Sequence, residues 1–400
     1  MTVPTFAYLA EGRLFLQSSG TEAVEVTSTF VQEFETRQAK QQQQHGWKEQ
    51  SQVWGEMGMA VPQMAQWNQA GAGRRTVKFR SLDHGPTDGE VTYLVDFGNM
   101  TGLFQYDPKI EQERRLFHRN NFPAQDLCRH PLHGRLAISV AQPDGTKRLA
   151  ICEADGCRPR EITFGDSIDE MPRWVHNNAD SLVFQSAGIG RDANGFATIL
   201  GPYAIQKLHL QSEAISTVME DDAFDYLQPT ELADGTLLYL RRPYQAGHRR
   251  QNVLAEMVDI LLIPYRLARA GYYFLNFFSV MFSGQPLRTA GGPERPTGPE
   301  TQMLSLWGQM IDTRKQMRAG KKNEDAGLVP NDWQLVRRSP SGTEDVLAKG
   351  VLTFDVRPSG EILYTNGRHI WLRPTTGETQ KLGTDRFIER VLLLGVNAPE

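Results

Sequence analysis

Apolar and polar positions alternate with a period of two over short runs along most of this chain, and turn residues separate the runs. The clearest phrase spans 172–184, where Pro-Arg-Trp-Val-His leads through a polar Asn-Asn-Ala-Asp turn into Ser-Leu-Val-Phe. Related phrases stand at 128–140, 227–240 and 354–364, each joining two apolar runs through a turn that ends near Gly134, Gly235 or Gly360. Alternation of this kind predicts half-buried strands. A strand-turn-strand phrase that returns about every 40 residues predicts repeated small sheets.

Grouped in fours, the runs predict a series of units. The clearest unit is 172–176, 181–186, 203–211 and 215–220. Before it come 126–129, 135–142, 147–153 and 160–164, and earlier still 76–82, 91–97, 102–106 and 114–118. After it come 226–232, 236–241, 333–338 and 345–348, then 352–357, 361–365, 369–373 and 379–382. One strand is left at 388–394 and three at 5–9, 13–17 and 23–26. Joined, they make one more four-stranded sheet and leave no long unpaired edge. The expected fold is therefore all-β, a six-bladed propeller closed by N- and C-terminal strands in one blade.

The Pro172-Arg-Trp174 phrase with its polar turn and following apolar strand resembles the repeat of TolB-like (WD-like) six-bladed β-propellers. The phrases at 227–240 and 354–364 look like weaker copies. Ala233-Asp-Gly235 and Pro358-Ser-Gly360 come nearest to the family's Ser-Pro-Asp-Gly turn, which is nowhere spelled in full. The resemblance covers about four of the six units and implies a fold, not an activity, because this fold carries many unrelated functions.

Two segments break the strand pattern. Residues 29–72 hold a Gln tract at 41–44 with Trp47, Trp54 and Trp67, and residues 247–330 separate the second and third strands of one unit. Strand direction alternates within a blade, so both insertions are expected on one face, together with the Gly-rich loop at 186–202. The expected division is a closing blade from 1–28 plus 385–400, a helical or irregular insertion at 29–72, blades over 73–246 and 331–384, and a helical cap at 247–330. In the cap, Leu254, Met257, Val258, Leu261 and Leu262 have helical spacing, and Pro264 should kink or end that helix. A second amphipathic helix is expected over 302–318, with Leu306, Trp307, Met310, Ile311 and Met317 on its apolar side.

Charge sharpens the picture of the cap. The chain is 40% hydrophobic and 22% charged with a net charge of −4, yet residues 247–330 carry 11 Lys and Arg against 7 Asp and Glu. The uncharged run at 270–287 is nearly long enough to cross a bilayer, which needs roughly 20 apolar residues. A single crossing would strand the later blade strands on the wrong side, so that reading is set aside. The aromatics have three readings: packing onto the propeller, docking a protein partner, or shallow insertion into an anionic membrane surface. Partner docking is the preferred functional expectation, through Tyr272, Tyr273, Phe274, Phe277, Phe278, Met281, Phe282, Trp307, Arg314, Lys315 and Arg318. Nucleic acid is not expected, because the basic cluster is short and its aromatics sit in an apolar run. Residues 1–20 lack a secretory pattern and the three cysteines cannot build a disulfide framework, which favours a cytoplasmic location, peripheral to a membrane under the third reading.

Candidate chemistry is sparse. No phosphate loop, zinc-protease helix or nucleophile elbow occurs. Cys128, His130, His133, Cys152 and Cys157 offer donors suited to zinc, but their spacings match no standard site, and buried or surface thiols with turn histidines are the plainer reading. Asp169, Glu170, Asp222, Asp225, Asp385 and Glu389 gather where first strands begin at the central opening. Such carboxylates bind a divalent cation or act as an acid/base pair, or else are solvated turn residues. The sequence thus favours a non-catalytic scaffold with no cofactor. A metal-dependent propeller hydrolase or lyase is the alternative.

Overall fold

The computed structural model describes residues 4–18, 21–40, 77–98, 100–176, 178, 180–193, 195, 197–245, 303–306, 309–312 and 325–396. The chain divides into two compact units, Met1–Tyr244 with Lys315–Glu400, and Gln245–Arg314.

The larger unit is built from antiparallel four-stranded sheets. The first contains Lys78–His84, Val91–Asp96, Met100–Asp107 and Gln112–Asn120 in sequence order. The second contains Ala124–Arg129, Leu136–Ala141, Lys147–Cys152 and the two-residue Arg160–Glu161. Ser167–Trp174, Ser181–Arg191, Ala204–His209 and Ala214–Met219 form the third. Its first strand touches the second sheet through a single parallel pairing, Lys147 with Ile168. Phe224–Glu231, Leu237–Pro243, Gln334–Arg338 and Glu344–Lys349 form the fourth, and Thr353–Val356, Ile362–Thr365, His369–Arg373 and Gln380–Thr384 the fifth. In the terminal sheet, Ile388–Val396 lies antiparallel to Pro4–Ala10, which continues into Arg13–Ser18 and Val24–Glu25.

Alternating apolar residues on the middle strands explain why these sheets stack. Tyr93, Val95 and Phe104 of the first sheet meet Ala7, Leu9, Leu392 and Leu394 of the terminal one. Phe6, Tyr8, Val391 and Leu393, on the opposite face, meet Leu363, Ile370 and Leu372 of the fifth. Burying one such side chain contributes about 1.5–3 kcal/mol, so each seam of this kind is a substantial share of the fold's stability.

The outer strands share one irregularity. The register shifts by one residue in Gln112–Asn120, Ala214–Met219, Glu344–Lys349 and Gln380–Thr384, leaving Leu116, Val218, Leu347 and Leu382 outside the pairing. Each is partly buried, so the bulge turns an additional apolar side chain toward the protein and bends the edge.

Residues 29–40 form a helix. Ser28 accepts the Val31 N–H at 3.2 Å, an N-cap, and Phe30, Val31 and Phe34 pack against the seam between the terminal and first sheets. The rest of the first insertion lies outside the described residues.

Two expectations require correction. The segment expected as a helix over 302–318 contains an antiparallel pair, Met303–Leu306 with Gln309–Asp312. Gly308 would have fallen in the middle of that helix, where glycine costs about 1 kcal/mol, and the alternation of Leu304 and Leu306 fits a strand equally well. The Gly-rich stretch read as a loop is also paired: Ser181–Arg191 runs through Gly188 and Gly190 and holds a short extra strand, Ala197–Leu200.

Candidate functional site

The first strand of each of the five sheets carries one buried aspartate: Asp83, Asp126, Asp169, Asp225 and Asp355, none more than 7% exposed. An isolated buried carboxylate is costly, so its partners decide what it does. Most partners here are backbone groups of an adjoining sheet. Asp83 accepts the Arg129 N–H at 2.5 Å, Asp126 the Met171 N–H at 3.3 Å, and Asp355 the Leu393 N–H at 2.9 Å. Asp225 accepts the Tyr203 N–H at 2.9 Å. Gln185 accepts the Gln228 N–H at 2.8 Å, while Gln228 donates to the Leu352 carbonyl at 3.1 Å.

Bulges present two of these donors, Met171 and Gln228. The register shifts between Glu170 and Arg173 and between Leu227 and Thr230, and Met171 and Gln228 take φ values of 53° and 51° there. Left-handed backbone at non-glycine residues costs about 1–3 kcal/mol. In return each bulge turns an N–H toward the preceding sheet.

Cations complete the compensation. Arg173 lies 3.4 Å from Asp83 and 3.9 Å from Asp355, Arg390 pairs with Asp126, and Lys147 with Glu170. Arg242 donates to Asp225 at 2.8 Å and lies over the Trp333 ring at 4.7 Å, a cation–π contact. Gln185 and Tyr203 donate to the other oxygen of Glu170 at 3.1 and 3.2 Å, and Ser186 donates to Asp169 at 2.7 Å.

Burial pushes the Asp169, Glu170 and Asp225 carboxyls above their usual range, opposed at Glu170 by Lys147 and at Asp225 by Arg242. Burial alone would lower the Arg173 guanidinium, but Asp83, Cys128 and Asp355 around it push it up. Shifted carboxyls of this kind attend acid–base sites and structural ion networks alike. Here they are already occupied by hydrogen bonds and cations.

The expected acids do not form one cluster. Asp169, Glu170 and Asp225 are buried in this network. Asp222 is exposed and lines a cleft of about 260 Å³ with Glu220, Asp221 and Tyr203. Asp385 accepts the Tyr8 hydroxyl at 2.9 Å, and burial raises Glu389, which lies near Lys78, Arg80 and Arg390. Missing from the expectation were Asp83, Asp126, Asp355 and their arginine partners. Their signal was present, since Asp83, Asp126 and Asp169 recur at one constant interval, each in the first strand of its unit.

The zinc candidates are divided among separate surroundings. Cys128 is buried with Asp83 and Arg173 nearby, and burial pushes its thiol up to about 12. Cys152 is buried in a different apolar cluster, its thiol also pushed up to about 12, and Cys157 is exposed. His130 accepts the N–H groups of Leu132 and His133 through Nδ1, both at 3.0 Å, and its ring meets Trp174 edge-on. Among the described residues, no three His, Cys, Asp or Glu side chains converge on a point that would hold a metal ion. The expected partner-binding residues, Tyr272 through Phe282 with Trp307, Arg314, Lys315 and Arg318, lie outside the described residues.

No protein-family model matches the chain, and neither does any curated protein. Among solved structures it is similar to TolB from Acinetobacter baumannii, at 9% identity and a TM-score of 0.48, over 97% of this chain and 66% of that one. A chain of the nidogen–laminin complex matches at 8% identity and a TM-score of 0.49, over 98% of this chain and 99% of that one. A putative TolB from Agrobacterium tumefaciens matches at 10% identity and a TM-score of 0.41, over 80% and 91% of the two chains. The chain spans about two thirds of the first of these, and nothing about activity follows from the three. What this chain resembles, in its repeat phrases and its succession of four-stranded antiparallel sheets, is a TolB-like β-propeller.

Proposed function

We propose that the sheets are the six blades of a closed propeller and that the chain is a non-catalytic scaffold, recruiting a protein partner through the aromatic, basic insertion at 247–330. Closure is supported by hydrogen bonds passed from sheet to sheet. The Phe79 N–H reaches the Gly12 carbonyl at 2.9 Å, joining the terminal sheet to the first, and Asp355 joins the fifth to the terminal one. The scaffold reading rests on one observation: four of the five buried first-strand aspartates, Asp83, Asp126, Asp225 and Asp355, are committed to neighbouring backbone N–H groups and to cations, and the fifth, Asp169, to the Ser186 hydroxyl. A general acid or base needs a proton route to substrate, and these groups hold the sheets together instead.

The partner chemistry follows from the insertion's composition. Tyr, Phe, Met and Arg favour the cores of protein interfaces. Deleting residues 272–282 should abolish recovery of partner protein from lysate by the tagged chain, while far-UV circular dichroism and the melting temperature stay those of wild type. Recovery of the same partners by the deletion variant defeats the proposal. Recovery lost to wild-type binding of anionic vesicles alone assigns the insertion to membrane docking.

A further inference from the structure

A cleft of about 500 Å³ opens between the fourth and fifth sheets, lined by both and by the loop at 325–331. One wall is aromatic. Tyr364 and Trp371 are cross-strand partners in the fifth sheet, with rings stacked at 5.4 Å and 19°. The facing wall is polar, with Asn331 before the third strand of the fourth sheet and Lys349 at the end of its outer strand.

The loop that frames the cleft is held firmly. Buried Asn366 donates to the Asp325 carbonyl at 3.0 Å and accepts the Arg368 and His369 N–H groups, and its own carbonyl accepts the Leu328 N–H at 2.8 Å. Lys381 pins Asp325 at 2.8 Å. Gly327 comes so near that a Cβ there would stand 2.5 Å from the Asn366 Cβ, so only glycine fits. The polar groups that build the frame are therefore engaged. Asn331, Lys349 and Trp371 line the same space, and their side-chain polar groups make no hydrogen bond among the described residues.

We propose that this cleft binds a carbohydrate, one pyranose ring seated on the aromatic wall. A pyranose offers an apolar C–H face and a rim of hydroxyls, and the cleft offers an aromatic surface beside an amide, an ammonium and an indole donor. Sites of this size bind through apolar or aromatic walls with a few placed polar groups. A proline-rich peptide also uses aromatic grooves, but needs few polar contacts, and this lining is largely polar. The site lies in the larger unit and shares with the insertion proposed to recruit a partner only its last residues, 325–330, and none of the aromatics at 272–282, so each reading can fail without the other.

The test is saturation-transfer difference NMR on the full chain with maltose, cellobiose, lactose and N,N′-diacetylchitobiose, and with sorbitol and a proline decapeptide as controls. At least one disaccharide should bind saturably, with transfer strongest at the C–H protons of one ring face, and sorbitol should not. Asn331→Ala and Lys349→Ala, both at exposed positions, should weaken binding about tenfold each, as expected for a lost hydrogen bond. Trp371→Ala should abolish binding, and Trp371→Phe should retain part of it if the ring face matters. Saturable binding by none of the four sugars, equal binding of sorbitol, preference for the decapeptide, or indifference to Asn331→Ala and Lys349→Ala overturns the proposal.

Discussion

Replacing Asp83 by alanine isolates the role assigned to the buried aspartates. Its side chain is 3% exposed, accepts the Arg129 N–H at 2.5 Å and faces Arg173 at 3.4 Å. Alanine leaves a buried donor and a largely buried guanidinium facing a void, and breaking such a pair costs about 3–5 kcal/mol. Arg173 keeps Asp355 at 3.9 Å, so the lower end, about 3 kcal/mol, is expected. Asparagine keeps an acceptor for the N–H and loses only the charge, which should cost about 1–2 kcal/mol. In urea, with a slope of about 2–3 kcal/mol per molar, the alanine variant should unfold about 1 M earlier than wild type and the asparagine variant about half as much. Asp83→Ala combined with Arg173→Met should cost clearly less than the two single changes together, because removing both charges leaves neither stranded. Additive midpoint shifts in the double variant, or an alanine variant no worse than the asparagine one, would refute the reasoning.

Three further outcomes follow from the same geometry. Burial raises the folded-state pKa of Asp169, so its contribution is present in full below the unfolded-state value and is lost as pH rises through the folded one; the melting temperature of wild type relative to Asp169→Asn should fall as pH rises from 4, and a rising difference contradicts the assignment. Iodoacetamide at pH 8 should add one label per native chain, at exposed Cys157, with Cys128 and Cys152 labelled only after unfolding; peptide mass spectrometry reads this directly, and prompt labelling of Cys128 contradicts its burial. Ser28→Ala removes the N-cap of the helix at 29–40 and should cost about 1 kcal/mol, with Ser28→Asp restoring most of it; thermal melts that rank the two variants equally would contradict the capping role.

Most strands could be read from the sequence because each is a local property. Alternation located 147–153, 91–97 and 369–373 almost to their observed bounds, and the pairing of the chain's tail with its start followed from strands left over at both ends. First strands were read short where a bulge intervenes. Ser167–Trp174 was placed at 172–176 because Pro172 looks like a strand start, whereas it follows the bulged Met171. The network of buried carboxylates was harder to see. Asp126 and Arg390 are 264 residues apart, and pairing over that distance leaves no trace in local pattern. The recurring aspartates were legible as an interval, but a carboxylate among turn-like residues looks solvated until the neighbouring sheet is in place. The pair of strands Met303–Leu306 and Gln309–Asp312 was missed because six apolar residues in the ten from 303 to 312 satisfy a period of 3.6 as well as a period of two.

The pairing of Pro4–Ala10 with Ile388–Val396 sets a timetable for biosynthesis. The earlier of these two strands cannot pair with the later one until that has left the ribosome, roughly 20–80 s later at about 5–20 residues per second. Throughout that interval Phe6, Tyr8 and Leu9 lack the seams that bury them in the finished molecule. Intermediate sheets can assemble as they emerge, but the terminal sheet stays incomplete, a window in which chaperone binding competes with misassociation. Cooperative locking then arrives as a late, single event.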